Sequence, residues 1–284
     1  MLDLSGRIDN HYVEALHVLK GVTDDLGIPF FIVGATARDL IFEHCYNIRA
    51  PRTTLDIDLG VEVADWDQFT RLTQAMIGSG RLTAGGEPQR FLFGPVRIDI
   101  LPFGPVADAQ GRIYWPPEHE VLMSMLGYRE AYDYSETVRL STAPELDVRV
   151  STLPGLALMK IISWNDNYSV RKKDAEDLLF IMHNYGEAGN EERLYDREQT
   201  LMEEERFDIR LAGIRLLGRD IARICDQNTA EVIKSIFLKE TMEEGEYRLV
   251  RHMIAGTQEF DSKFEDVLQL IEKLKQGFSE GTES

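Results

Sequence analysis

TTLDIDLG, residues 53–60, decides the fold, because apolar and acidic residues alternate in it as they do in a half-buried β-strand. Asp56 and Asp58 stand two positions apart, and residues two apart in a strand point to the same face of the sheet. The two carboxylates are therefore predicted to lie side by side. Two anions this close repel each other, and a bound cation would relieve that repulsion. A solvated strand face is the alternative interpretation of the D-x-D pattern when it is considered alone.

Upstream of this strand, FFIVG (30–34) predicts a buried strand that leads through a glycine turn into a helix beginning ATARDL. The turn consists of Gly34, Ala35 and Thr36. Glycine allows close approach of the backbone, and a helix N-terminus presents free N–H groups that suit a phosphate. Arg38 follows one turn into the helix. It either contacts a phosphate or pairs with an acidic neighbour, Asp39 or Glu43.

A third acid, Asp99, lies in the later predicted strand VRIDILPFG (96–104), on the opposite side from Val96, Ile98 and Ile100. If it converges with Asp56 and Asp58, three carboxylates share one place, which is unfavourable without a divalent cation. Ligation by oxygen alone suits Mg²⁺ or Mn²⁺. This pattern predicts metal-assisted nucleotidyl transfer, with Asp99 closest to the attacking hydroxyl.

The order of glycine turn, D-x-D and later aspartate resembles the DNA polymerase beta type nucleotidyltransferase superfamily. VGATARDL (33–40) is also similar to the G-G-x-x-R-D signature of tRNA nucleotidyltransferases that add CCA ends. The resemblance implies an α/β (α+β) polymerase beta-like fold with a mixed sheet, and an NTP as substrate. It implies a metal site at Asp56, Asp58 and Asp99, and nucleotide contacts from Gly34, Ala35, Thr36 and Arg38. Ala35 departs from the usual second residue of the turn, which is Gly or Ser.

A second stretch, residues 157–182, is similar to the C-terminal motifs of the AbiEii/AbiGii-type nucleotidyltransferase toxins. An A-x-x-K element ends at Lys160, and a K-D-x-x-D-L element contains Asp174 and Asp177. The resemblance implies that Lys160 contacts the nucleotide phosphates and that Asp174 or Asp177 supports the site. We favour Asp174 as the catalytic acid and assign Asp177 to nucleotide binding, although both lie on one side of a helix. The alternatives are a snorkelling lysine and a charged helix cap.

Residues 1–150 are expected to form the α/β nucleotidyltransferase-like domain, and 151–277 a helical domain that completes the active site. The predicted helices of this second domain include 172–184 and 259–275. Residues 278–284 are expected to be a disordered tail. The formal net charge of −18 argues against non-specific coating of nucleic acid. No apolar run approaches a membrane span, and the two cysteines lie far apart, so a reduced cytoplasmic protein is expected.

The sequence thus predicts a metal-dependent enzyme that transfers NMP from an NTP to a hydroxyl acceptor. The toxin resemblance implies action on tRNA, with protein side chains as the other acceptors in that branch. It also implies a toxin–antitoxin or phage-defence system with an antitoxin protein as partner. One alternative is an aminoglycoside-type nucleotidyltransferase, because strong net acidity suits a cationic small molecule. Another is a non-catalytic nucleotide- or protein-binding module of the same fold.

Overall fold

The computed structural model describes residues 1–50, 56–117, 122–255 and 260–283. Residues 53–55 of the quoted stretch, the first residue of a helix predicted over 259–275, and Ser284 lie outside the described residues. The chain forms two compact units, Met1–Thr152 and Leu153–Ser284.

The first unit is built on a mixed sheet, in which the described residues form eight strands in the order β1-β9-β10-β2-β3-β6-β5-β4. A separate ribbon pairs β7 with β8. The strands are β1 (Leu2–Asp3), β2 (Phe30–Val33), β3 (Asp56–Glu62), β4 (Thr83–Ala84), β5 (Arg90–Phe93), β6 (Val96–Phe103), β7 (Arg112–Tyr114), β8 (Leu122–Ser124), β9 (Glu136–Thr142) and β10 (Glu145–Val150). β3 runs parallel to β6 and antiparallel to β2, so the sheet is mixed as predicted.

The helices of the first unit are α1 (Asn10–Leu26), α2 (Gly34–Asp39), α3 (Trp66–Gly78) and α4 (Tyr128–Asp133). The Asp9 side chain caps α1, and Gly27 ends it in the left-handed conformation. The helix predicted after Gly34 is divided, because α2 continues as a π-helix, Leu40–Cys45.

The central strands are held in place by their apolar residues, which alternate with polar residues along β3 and β6. Ile57 and Leu59 of β3 and Ile98 of β6 are fully buried, whereas the acidic residues between them are half-buried. Burial of one face and solvation of the other fixes the register, because a slip by one residue would exchange the two faces.

The second unit is helical in its described residues. Its helices are α5 (Leu153–Asp166), α6 (Lys172–Asn184), α7 (Glu191–Asp196), α8 (Gln199–Glu204), α9 (Ile209–Ile224), α10 (Gln227–Thr241), α11 (Arg248–Met253) and α12 (Phe260–Glu283). α9 packs closely along α12, where Gly277 lies directly against the backbone of Arg215.

The prediction of a disordered tail is wrong for residues 278–283, because α12 continues to Glu283. Phe278 is buried and stacks edge-on against Phe237, with the ring centroids 5.8 Å apart. Glu280 accepts hydrogen bonds from Arg215 and Arg219 of α9. These contacts, which the tail sequence alone does not reveal, hold residues 278–283 in the helix.

Among the described residues, no helix combines the length and the apolar composition that crossing a membrane requires.

Candidate active site

The three predicted metal ligands lie on one face of the central sheet. Asp58 of β3 is the register partner of Asp99 of β6, and Asp56 is the partner of Arg97. Register partners on neighbouring strands present their side chains to the same face. The antiparallel strand β5 adds Arg90, whose register partner is Asp99. These five side chains define the carboxylate face: Asp56, Asp58, Arg90, Arg97 and Asp99.

The glycine turn lies directly against this face. Val33, the last residue of β2, is the register partner of Asp58, so the next residue, Gly34, meets the Asp58 side chain. A Cβ added to Gly34 would lie 2.9 Å from both Cβ and Cγ of Asp58, and closer still to its carboxylate oxygen. Gly34 also has a φ of +64°. Both facts favour glycine, because other residues rarely adopt this φ and no side chain fits there.

The residues after Gly34 hold the turn onto the strand. The Thr36 hydroxyl donates a hydrogen bond to the carbonyl oxygen of Asp56. Arg38 is buried and donates from Nε to Oδ1 of Asp39 over 2.8 Å. The ion pair considered as the alternative for Arg38 is therefore present in the structure.

Asp99 and Asp56 are each paired with an arginine. Arg90 donates two parallel hydrogen bonds to Asp99, from Nε to Oδ1 over 2.8 Å and from Nη2 to Oδ2 over 3.0 Å. Hydrogen bonding to Asp99 is the main cause that raises the pKa of Arg90. Arg97 donates from Nη2 to Oδ2 of Asp56. The buried Nε of Arg97 has no hydrogen-bond acceptor in the described part of the chain.

The three carboxylates fit a divalent cation in kind, since they offer only oxygen donors beside a cradle that a Cβ would fill. Their present arrangement, however, differs from that of a metal site. Within the described ranges, no three His, Cys, Asp or Glu side chains are arranged to hold a metal ion. The arginines supply the positive charge instead, so the face as it stands is a set of ion pairs.

The second unit contains its own charged cluster, formed by Lys160 of α5 and two aspartates of α6. Lys160 Nζ donates to Asp174 Oδ1 over 2.6 Å and to Asp177 Oδ2 over 2.9 Å. The Ser163 hydroxyl donates to the other oxygen of Asp174 over 3.1 Å. Burial lowers the pKa of Lys160, but the charges and hydrogen bonds of the two aspartates outweigh burial and raise it overall. Both acids thus contact the lysine, and the geometry does not separate their roles.

Sequence reasoning missed Arg90, Arg97 and Ser163. The signal for Arg97 was present, because it stands two residues before Asp99 in a predicted strand. Arg90 required the hairpin register of β5 and β6 across the turn at Gly94-Pro95. Ser163 lies three residues after Lys160 on the same helix, a spacing that places both on one side.

A sheet face of three aspartates beneath a glycine turn, with a lysine–aspartate cluster on a following helical unit, defines the class: the protein is a nucleotidyltransferase. Residues 17–269 match the family described as "Nucleotidyl transferase AbiEii toxin, Type IV TA system". The chain therefore belongs to the AbiEii nucleotidyltransferase toxin family. This finding confirms the resemblance and the predicted enzyme class, and it disfavours the non-catalytic module.

Solved structures of two kinds of nucleotidyltransferase are similar to the chain at low identity. The antibiotic-resistance factor ANT(2″)-Ia is 14% identical, with 70% of this chain and 98% of that chain covered and a TM-score of 0.37. The Thermotoga maritima CCA-adding enzyme in complex with tRNA is 12% identical, with 97% and 80% covered and a TM-score of 0.31. A CCA-adding enzyme in complex with ATP is 16% identical, with 92% and 67% covered and a TM-score of 0.33. No curated protein is similar enough in sequence to count as a match.

Proposed function

We propose that this protein transfers NMP from an NTP to a hydroxyl group of tRNA, in a reaction that requires Mg²⁺ or Mn²⁺. The observation that carries the proposal is the carboxylate face, with Asp58 held directly against the Gly34 turn. Family membership gives the class of reaction. The metal, the acceptor and the roles of individual residues belong to the proposal.

In the proposed reaction, the oxygen of the acceptor hydroxyl forms a bond to the α-phosphorus of the NTP. The bond between the α-phosphorus and the oxygen that bridges the α- and β-phosphates breaks. Pyrophosphate leaves with the electron pair of that bond, and Asp99 accepts the proton of the hydroxyl. A divalent cation held by Asp56, Asp58 and Asp99 would neutralise phosphate charge and lower the pKa of the attacking hydroxyl. Arg90 now donates to both oxygens of Asp99, and its departure would make Asp99 a stronger proton acceptor.

The remaining predicted residues have phosphate-binding roles in this proposal. The backbone at Gly34, Ala35 and Thr36 donates N–H groups to phosphate oxygens, and Lys160 contributes a positive charge. Asp174 and Asp177 orient the Lys160 ammonium, which both of them already contact. Arg38 remains a proposed nucleotide ligand, although its guanidinium pairs with Asp39 in this structure.

The biological part of the proposal follows from the family. We propose that the protein is a cytoplasmic toxin of a toxin–antitoxin or phage-defence system, with an antitoxin protein as its partner. The net charge of −18 favours one specific alternative acceptor, a cationic aminoglycoside, which an acidic surface attracts.

The test is incorporation of label from each of the four α-³²P NTPs, with Mg²⁺, into total tRNA and into a panel of aminoglycosides. We expect labelled tRNA with at least one NTP. Asp58→Asn should reduce incorporation at least about 100-fold, because it removes a charge at the centre of the carboxylate face. Asp147→Asn is the matched control, since Asp147 is a half-buried aspartate of the same sheet whose partner is Arg139. It should retain near-normal incorporation.

Label found on an aminoglycoside alone would replace the tRNA proposal with the small-molecule alternative. Folded wild-type protein that labels neither class of acceptor would contradict both. Equal losses in the Asp58 and Asp147 variants would show that the effect of Asp58 is on folding rather than on transfer.

A further inference from the structure

The carboxylate face contains its own counter-charges. Arg90 binds both oxygens of Asp99, and Arg97 binds an oxygen of Asp56. The Asp99 side chain is 18% exposed and that of Arg90 is 23% exposed, so this pair is shielded from most of the solvent. Arg90 also reaches Glu87, which is itself half-exposed.

These ion pairs and a metal ion compete for the same carboxylates. A guanidinium that donates two parallel hydrogen bonds occupies both oxygens of its carboxylate in the plane of the group. Mg²⁺ coordinates the same lone pairs at about 2.0–2.1 Å. A cation and a guanidinium on one carboxylate would also repel each other. Arg90 therefore competes with a metal for both oxygens of Asp99, whereas Arg97 competes through its charge and its one hydrogen bond to Oδ2 of Asp56.

Displaced arginines would need new acceptors. A guanidinium on a side chain only 23% exposed, as that of Arg90 is, is unfavourable without an anion, whereas the Arg97 side chain is 43% exposed. Phosphate oxygens offer the same paired geometry as a carboxylate, and arginine is well suited to them. Arg97 already has an unused donor, because its buried Nε has no acceptor among the described residues.

We propose that Arg90 and Arg97 exchange partners: they bind Asp99 and Asp56 in the metal-free protein and bind nucleotide phosphates when a divalent cation occupies those acids. This inference rests on the proposed function, because it assumes that the carboxylate face holds the metal. It adds two phosphate-binding residues and explains why the three acids are not arranged as a ready metal site.

The exchange predicts effects of opposite sign on two ligands. Without nucleotide, each arginine competes with the metal, so its removal should tighten metal binding. With metal present, each arginine binds phosphate, so its removal should weaken nucleotide binding. The wild-type protein should bind metal and nucleotide cooperatively, and by linkage each should raise the affinity of the other by the same factor.

The experiment uses the full chain and measures Mn²⁺ binding by the electron paramagnetic resonance signal of free Mn²⁺. It measures nucleotide binding by calorimetry with the four α,β-methylene nucleoside triphosphates, which cannot transfer NMP. The variants are Arg90→Gln and Arg97→Gln. Arg139→Gln is the matched control, because Arg139 and Asp147 form the same cross-strand pair, with both hydrogen bonds 2.8 Å long and Arg139 22% exposed.

For Arg90→Gln and Arg97→Gln we expect Mn²⁺ affinity without nucleotide to rise about 3- to 5-fold, the upper range for a partly exposed ion pair. Nucleotide affinity with Mn²⁺ should fall about 10-fold, as expected for a lost charged hydrogen bond. Arg139→Gln should change neither affinity. If a glutamine variant does not fold, as judged by circular dichroism, Arg90→Lys and Arg97→Lys replace it. Lysine keeps the charge but not the paired donors, so the effects should keep their signs and shrink.

Three results would overturn the exchange. Variants that match Arg139→Gln in both measurements would show that the arginines only hold the sheet. Variants that weaken Mn²⁺ binding without nucleotide would show that the arginines support the metal site instead of competing for it. These two results leave the proposed function intact, provided that the wild type binds Mn²⁺ and a nucleotide. A wild type that binds neither overturns the proposed function and the exchange together, before any variant is compared.

Discussion

Replacing Gly34 with alanine tests how closely the turn and the carboxylate face depend on each other. The added Cβ would stand 2.9 Å from Cβ and Cγ of Asp58. Carbon atoms in ordinary contact are about 3.5–4.0 Å apart, so the Asp58 side chain or the turn must move by about 0.6–1.1 Å. In addition, Gly34 has a φ of +64°, and an L-residue in the left-handed region costs about 1–2 kcal/mol.

Gly27 provides a control that separates these two effects. Its φ is +63°, and an added Cβ would meet nothing within 4 Å. Gly27→Ala should therefore lose about 1–2 kcal/mol of folding free energy from backbone strain alone. Gly34→Ala should lose that amount plus about 1–3 kcal/mol from overpacking. Thermal unfolding followed by calorimetry measures both variants under the same conditions.

The same pair of variants distinguishes an effect on transfer from an effect on stability. A displacement of about 1 Å at a reacting centre costs on the order of 100-fold in rate. We expect Gly34→Ala to lose about that much NMP incorporation at a temperature where it is fully folded, and Gly27→Ala to retain wild-type incorporation. Incorporation by Gly34→Ala within about threefold of Gly27→Ala would refute the idea that Asp58 acts from its place against the turn.

Three further predictions concern the second unit. Lys160→Met should lower the unfolding free energy by about 3 kcal/mol, because it removes the cation that both buried carboxylates contact. A loss below about 1 kcal/mol in urea denaturation would contradict this. Gly277→Ala should destabilise the protein by about 1–3 kcal/mol, because the added Cβ would collide with the backbone of α9. Gly21→Ala, at an open position within α1, is the control and should be neutral or stabilising, so equal effects of the two variants would refute the packing argument. Burial first, then nearby positive charges, lowers the pKa of His252, so stability should be lost as pH falls through its unfolded value of about 6.5. His252→Gln keeps an acceptor for the Trp164 indole N–H, and it should reduce the dependence of the unfolding free energy on pH between about pH 7 and 5. An unchanged slope of unfolding free energy against pH would refute the assignment to His252.

Much of the first unit could be predicted from local pattern. Strands over 30–34 and 96–104 are predicted and observed as Phe30–Val33 and Val96–Phe103. Both strands could be predicted from local pattern. Successive side chains of β6 mostly alternate between a buried and a solvated face, whereas all of β2 is apolar. By contrast, β1 has two residues and exists only through pairing with β9, more than 130 positions away. No local signal specifies such a strand.

The second unit shows a different limit. The helix over 172–184 is predicted and observed with the same bounds, because its charged start and apolar stripe lie within one segment. The end of α12 is different. FSEGTES contains two glutamates and a glycine and reads as a tail, yet Phe278 is buried and Glu280 pairs with two arginines of α9. Whether such a segment is ordered depends on a partner helix about 60 residues earlier, which composition does not reveal.

In the candidate site, some features could be predicted from local sequence, and others depend on residues distant in the chain. Asp56, Asp58 and Asp99 could be found as a motif, since their spacing follows directly from strand geometry. Their ion-pair partners could not, because these depend on which cations the register places beside the acids. Arg97 precedes Asp99 by two residues and so shares its face, but it binds Asp56 across the strand pair rather than its near neighbour in sequence. A motif specifies which acids converge, whereas the sheet register decides what neutralises them. In the proposed exchange, the arginines leave the acids before they bind the phosphates, so the sheet register would also set the order in which the ligands bind.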